Sequence, residues 1–153
     1  MNIHDLEICR KSRFVEGEGP LDADLMLIGQ NPGEEENKKG RPFMGRAGTY
    51  LNKVLKKNGI KRDKIYITSV VKCKTPRNRK PTHEEIEASI PYLVKQIKKI
   101  CPRIIVLMGK VAWETPRLDN TKYIETYHPA AAMRFPKLRK KFEADFKKLG
   151  KRL

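Results

Sequence analysis

Three short segments hold the side chains best suited to chemistry. The last of them, Tyr127-His128-Pro129-Ala130-Ala131-Ala132-Met133-Arg134, sets an imidazole before a proline and three small residues. An imidazole exchanges protons near neutral pH, small residues let a backbone approach a phosphate closely, and an apolar tip such as Met133 can wedge between stacked bases. The first begins Gly29-Gln30-Asn31-Pro32-Gly33-Glu34-Glu35-Glu36 and continues through Gly40-Arg41-Pro42-Phe43-Met44-Gly45-Arg46. Its early part also suits a tight turn followed by a solvated acidic stretch. Phe43, a large ring amid Gly, Pro and Arg, can stack on a planar ligand or serve as a satellite of the core. The segment lacks a closing Gly-Lys-Ser/Thr, and no Gly-x-Gly-x-x-Gly occurs, so neither a Walker loop nor a dinucleotide-binding turn is present. Between the two lies a basic segment, residues 72–81, with Lys72, Lys74, Arg77, Arg79 and Lys80 and no acid.

Such segments need a scaffold that gathers them at one edge. Four short apolar runs, 24–29 (DLMLIG), 64–71 (KIYITSVV), 103–108 (RIIVLM) and 122–126 (KYIET), have the character of strands buried on both faces of a parallel sheet. Helical patterns separate them. In 45–58, Ala47, Leu51, Val54 and Leu55 share one face and Gly59 supplies a stop. Thr82-His83-Glu84-Glu85 is a capping box opening a helix with Ile86, Ile90, Leu93, Val94 and Ile97 at core spacing, and Pro91 predicts a kink or restart. A last helix over 137–149 carries Leu138, Phe142, Phe146 and Leu149 in one stripe. The order predicts a three-layer α/β/α sandwich around a central four-stranded parallel sheet, one domain over 1–153 with residues 1–20 as an N-terminal arm. Ligands of such sheets bind beyond the carboxyl ends of the strands, where all three chemical segments fall.

Composition narrows the partner. The chain has 153 residues with 34 Lys plus Arg against 18 Asp plus Glu, a formal charge of +16. That excess suits a polyanion, since phosphates neutralised by Lys or Arg release condensed counterions. A lysine-rich surface also serves solubility alone. The placement of two basic clusters, 72–81 and Arg134 to Arg152, near the ligand edge favours a nucleic-acid backbone. No apolar run approaches the roughly 20 residues of a membrane span, and Met1 leads into polar residues, so a soluble cytoplasmic or nuclear protein with no membrane association is expected. Cys9, Cys73 and Cys101 are odd in number and widely spaced, neither a disulfide framework nor a paired metal motif, and are expected to be reduced.

The strings 25–48 (LMLIGQNPGEEENKKGRPFMGRAG), 66–93 (YITSVVKCKTPRNRKPTHEEIEASIPYL), 104–112 (IIVLMGKVA) and 126–134 (TYHPAAAMR) resemble, in order and nearly end to end, the uracil-DNA glycosylase superfamily and within it the thermophilic-type family 4. The resemblance implies hydrolysis of the N-glycosidic bond of uracil, or a related deaminated base, in DNA, leaving an abasic site for base excision repair. The target nucleotide must first be flipped out of the stack. Residue by residue, it implies that Phe43 stacks on the base, that the Gln30 backbone N–H meets a pyrimidine carbonyl, and that Glu36 lies on the water side. His128 would donate to uracil O2 as charge builds on the leaving base. Met133 or Arg134 would fill the gap left by the base, while Lys72, Arg77, Asn78 and Arg79 would contact the DNA backbone. A monomer acting on one site is expected.

Three departures qualify that picture. Where the family has GE followed by Ala or Gly before Pro-Gly, this chain has Gln30-Asn31, so Asn31 can place the attacking water instead of, or with, Glu36; an Asx turn is the structural alternative. The strand that family members end with an edge-reading asparagine ends in Ser69, whose short hydroxyl cannot reproduce a two-sided amide and which opens specificity toward hypoxanthine or xanthine. Family 4 members hold an iron–sulfur cluster through four cysteines; only Cys73 matches clearly, Ser89 occupies the other position beside the basic loop, and Cys9 stands alone near the N-terminus, so no metal or cofactor is expected, with an unusual iron–sulfur site as the alternative. These losses motivate an alternative, a non-catalytic DNA-binding or damage-sensing protein on the same scaffold. Ser69→Asn is expected to raise cleavage of a uracil oligonucleotide relative to hypoxanthine and xanthine substrates; an unchanged ratio removes the edge-reading role of position 69.

Overall fold

A computed structural model describes residues 1–153. The four strands are β1 (Leu25–Gly29), β2 (Tyr66–Ser69), β3 (Ile104–Met108) and β4 (Lys122–Thr126). Seven helices accompany them: α1 (Glu7–Lys11), α2 (Glu34–Lys39), α3 (Arg46–Lys57), α4 (His83–Ile100), α5 (Lys110–Trp113), α6 (Pro129–Arg134) and α7 (Pro136–Gly150). All strands are parallel, in the order β2-β1-β3-β4. The expected α/β/α sandwich is therefore present, and no helix is long and apolar enough to cross a membrane.

Alternation along the strands explains the layers. Successive side chains of a strand point to opposite faces, so a continuous apolar run feeds two cores at once. Leu25 and Leu27 join Leu51 and Leu55 of α3 and Phe142 and Phe146 of α7. Met26 and Ile28 join Leu93 and Ile97 of α4 and Ile8 of α1. The chain leaves β1 toward β2 on one side and returns to β3 on the other, which puts a switch point at the carboxyl end of β1.

The N-terminal arm closes the exposed edge of β2. Glu18 and Ile67 exchange backbone N–H···O bonds of 3.0 and 2.9 Å in an antiparallel bridge. Gly17 and Gly19 flank it with φ of 122° and 138°, and a Cβ at Gly19 would stand 2.1 Å from the Ile65 carbonyl oxygen. Only glycine permits both the conformation and the approach. Covering this edge also removes a template for intermolecular strand pairing.

Several expectations need correction. Cys9 and Cys73 are not reduced: they form a disulfide with Cα atoms 5.4 Å apart, leaving Cys101 free. Their separation of 64 residues hid the pairing, because packing of α1 against the segment after β2 brings them together. Constraining a loop of that length contributes about 4 kcal/mol in the chain-entropy account. Pro91 does not interrupt α4, which runs unbroken over 18 residues. Glu87 and Pro91 both lie on its exposed side, so water can satisfy the carbonyl that the proline leaves unpaired. Residues 129–134, for which no helix is expected from the sequence, form α6, opened by Pro129 at the first helical position.

The largest correction is Lys72. Instead of facing phosphates it is completely buried. Its ammonium folds back beneath β2 to donate to Thr68 Oγ1 at 2.8 Å and to the Ser69 carbonyl, with the Tyr92 ring 5.9 Å away. Burial pulls its pKa down to about 7, opposed in small part by Glu16. An unfolded lysine binds its proton up to about pH 10.4. Between those values the unfolded chain holds the extra proton, so stability rises with pH. Thermal unfolding is expected to move upward from pH 7 to 9.5, and Lys72→Met to flatten that rise; a slope that survives the substitution assigns it to another group.

Candidate active site

Gly29, the last residue of β1, is the floor on which two rings meet. A Cβ there would lie 2.6 Å from Phe43 Cζ and 3.8 Å from His128 Nε2. The two ring centroids are 5.6 Å apart, tilted by 32°. With them, Gln30, Asn31, Glu36, Ser69 and Asn78 line a single cavity of about 290 Å³, joined by Val15, Pro42, Ala47 and Ala130. Every residue assigned to base binding or catalysis thus borders one hollow, at the small end of the range for ligand pockets.

Phe43 sits in an unfavourable conformation, φ 49°. A bulky residue stays in the left-handed region only when its surroundings enforce it. Glu36 holds the turn from one side: Oε2 accepts the N–H groups of Met44 and Gly45 at 2.7 and 2.8 Å, while Oε1 accepts Gly33 N–H at 2.9 Å. Arg62 holds it from the other, donating to the carbonyls of Pro42 and Phe43 at 2.5 and 3.1 Å and to Asn52 Oδ1 at 2.7 Å. Burial draws the Arg62 pKa below its ordinary value, an effect that Glu18 opposes. Gly48 leaves room for the arrangement, since a Cβ there would fall 1.9 Å from the Phe43 carbonyl oxygen.

His128 is held from the far side of the sheet. The strand before it ends at Thr126, whose carbonyl accepts from Gly109 N–H and Trp113 Nε1, both at 2.9 Å, and whose hydroxyl donates to Asp145 of α7 at 2.7 Å. The imidazole then caps α6: Nδ1 accepts Ala130 N–H at 3.0 Å. With Nδ1 an acceptor, the neutral ring carries its proton on Nε2, the nitrogen above Gly29. Part of the ring faces the cavity, but protein crowds it, and this desolvation lowers its pKa to about 4, with Glu36 pulling weakly upward. His128 is therefore a neutral donor at physiological pH.

Asn31 is fixed just as firmly. Nδ2 donates to the carbonyls of Pro32 and Cys73 at 3.2 and 3.3 Å, and Oδ1 accepts Gln30 Nε2 at 3.2 Å, leaving one Oδ1 lone pair. The backbone N–H of Gln30 has no acceptor within the protein. Ser69 Oγ donates to the Val71 carbonyl at 2.7 Å, so toward the cavity it can only accept.

A second cavity of about 730 Å³ adjoins the first, sharing Gln30, Ala47, His128 and Ala130, and is lined further by Met133, Arg134, Arg46 and Phe135. Arg139 holds this rim by donating to the carbonyls of Ala132 and Met133 at 3.2 and 2.6 Å. Of the basic loop, Arg77 is exposed and adopts φ 55°, as Asn78 does at φ 57°. Arg79 turns back to Glu85 in a two-pronged pair at 2.8 and 2.9 Å and so braces the loop against α4. Sequence reasoning missed Arg46, Arg62, Arg139 and Phe135. Phe135 carried a signal, an aromatic between a basic residue and a proline, and it is 50% exposed. Arg62 carried none, because two of its partners are backbone carbonyls about twenty residues upstream.

Glu36→Gln retains shape but replaces one acceptor oxygen with a donor facing backbone N–H groups. It is expected to cost about 1–3 kcal/mol in chemical denaturation; an unchanged midpoint would show that the turn does not depend on the carboxylate.

Residues 16–151 match the profile of the uracil DNA glycosylase superfamily. The chain is 38% identical to a Type-4 uracil-DNA glycosylase of Archaeoglobus fulgidus, over 92% of this chain and 82% of that one. It is 40% identical to one of Sulfurisphaera tokodaii, over 91% and 74%, and 41% identical to one of Thermotoga maritima, over 81% and 73%. The aromatic floor, the neutral imidazole and the flanking groove thus lie in a chain that belongs to the uracil DNA glycosylase superfamily.

Proposed function

We propose that this protein excises uracil from DNA by hydrolysing the N-glycosidic bond, and that Phe43 and His128 form the two walls that select and activate the flipped base. The observation that carries the reading is the convergence of those rings above Gly29, 5.6 Å apart, beside an unpaired Gln30 N–H. A planar base slid against Phe43 places its carbonyl edge toward Gln30 N–H and His128 Nε2–H. As the bond from C1′ to N1 breaks, its electron pair passes to the base, and the developing charge on O2 meets a donor already aimed and already desolvated. Because the donor is neutral, no proton needs to be transferred to stabilise the leaving anion. Water adds to C1′ and releases its proton to solvent.

The bonding of the two water-side candidates divides their work. Glu36 spends its oxygens on three backbone N–H groups and acts through the turn that carries Phe43. Asn31 has the fixed orientation and the spare Oδ1 lone pair needed to hold water. Arg77 and Arg134, exposed and unpaired, together with Arg46 engage phosphates, Asn78 lines the pocket entrance, and Met133 with Phe135 occupies the space vacated by the base. The substrate partner is DNA.

His128→Ala is expected to lower single-turnover excision by about 10²–10³-fold while binding to uracil-containing DNA persists. The wild-type rate should stay flat from pH 7 down to 5 and fall only as pH nears 4, where His128 takes up a proton. A decline centred near pH 6.5 in the free enzyme, or normal cleavage by the alanine variant, overturns the assignment. Alkali cleavage of an end-labelled product separates excision from binding alone.

A further inference from the structure

The resemblance to cluster-bearing relatives raises a test of fit, and the donor set fails it. A cluster calls for four thiolates, whereas two of the three sulfurs here are bonded to each other. Ser12 stands three residues after Cys9, and Ser89, completely buried, donates its hydroxyl to the Glu85 carbonyl at 2.6 Å. No group of three or more His, Cys, Asp or Glu side chains is gathered where it could hold a metal ion.

We propose that the Cys9–Cys73 disulfide is a working cross-link that takes the place of an iron–sulfur cluster, tying the N-terminal arm to the wall of the active site and making excision sensitive to thiol redox state. Cys73 lies buried just behind that wall. Its carbonyl accepts from Asn31 Nδ2, and the carbonyl of its neighbour Lys72 accepts Val15 N–H at 2.8 Å. Both Asn31 and Val15 line the pocket. The sulfur bond therefore clamps α1 onto the segment that orients the water-side amide.

The bond can form by exchange with a small disulfide. Cys73 is wholly buried and Cys9 is partly exposed. The Cys9 thiolate attacks the small disulfide and releases one thiol; the Cys73 thiolate then attacks the Cys9 sulfur of the mixed disulfide and releases the second. Two cysteine thiols are oxidised and one small disulfide is reduced to two thiols.

The test uses the full chain expressed with ample iron, purified once without oxygen and once in air. Denatured without reductant, the air-purified protein should alkylate at Cys101 alone, and at all three cysteines after reduction. Both preparations should contain no iron above background. Reduction of wild type, or Cys9→Ser, should lower Tm by roughly 10 °C. The coupling to excision rests on the function proposed above: reduced wild type should show about fivefold weaker kcat/KM, restored on reoxidation. Stoichiometric iron, three alkylated cysteines before reduction, or an unmoved Tm overturns the cross-link. If thiol counting and Tm behave as expected while no form cleaves uracil-DNA, the cross-link stands and the excision reading fails.

Discussion

One turn, held between a carboxylate and a guanidinium, sets the shape of the whole site. Glu36 gathers N–H groups from Gly33, Met44 and Gly45, and Arg62 gathers the carbonyls of Pro42 and Phe43. The two groups meet on one peptide unit, Arg62 at the Phe43 carbonyl and Glu36 at the Met44 N–H, and together they keep Phe43 at a φ it would not adopt in isolation. Without that constraint the ring would relax away from Gly29, and the hollow between it and His128 would close or open at random. The strain is repaid by the sheet beneath, which fixes both anchors: Glu36 belongs to a helix that follows β1, and Arg62 to the turn that precedes β2.

The scaffold was legible from sequence because its signals are local. Four short runs with the right neighbours read as strands of one parallel sheet, three of them buried on both faces and β4 largely exposed at the edge, and Thr82 with Glu85 forms the capping box that opens α4. The candidate pocket residues were legible for a different reason: each sits at the carboxyl end of a strand or in the segment that follows it, and a parallel sheet brings all such ends to one edge. What the sequence concealed depends on direction and on distant pairing. Lys72 directly follows a pair of buried valines, Val70 and Val71, and nothing local says that its side chain folds under the strand rather than out to solvent. Cys9 and Cys73 meet only after α1 docks. Arg62, Trp113 and Asp145 bond to backbone carbonyls or a lone hydroxyl far along the chain, partners without a sequence signature.

Ser69 illustrates how a single departure changes the chemistry of a pocket without changing its form. Its hydroxyl is already committed as a donor to the Val71 carbonyl, so the ligand meets only acceptor character there. A site that presents an amide offers both a donor and an acceptor, and leaving either unpaired penalises the wrong base. Here that penalty has to come from elsewhere: from the Gln30 N–H, from the His128 Nε2–H, and from the shape of the hollow beside the two rings. Selectivity then rests on donors matched to carbonyl oxygens and on fit, a coarser filter than two-sided edge reading.

The charge of the molecule and the electrostatics of the pocket do separate jobs. A formal +16 attracts DNA over long distances and is screened by salt. Inside the hollow the imidazole is kept neutral by desolvation, and the carboxylate of Glu36 is surrounded by backbone N–H groups. The cations nearest the hollow, Arg46 and Arg134, line the adjoining groove. Placing a full positive charge against the base would bind the anionic product as strongly as the transition state and slow its release, whereas an oriented neutral donor in a dry site responds mainly to charge as it develops. Under the proposed mechanism the same burial that makes His128 a poor base makes it an effective donor, and the excess lysines can attract any DNA sequence without altering which base is cut.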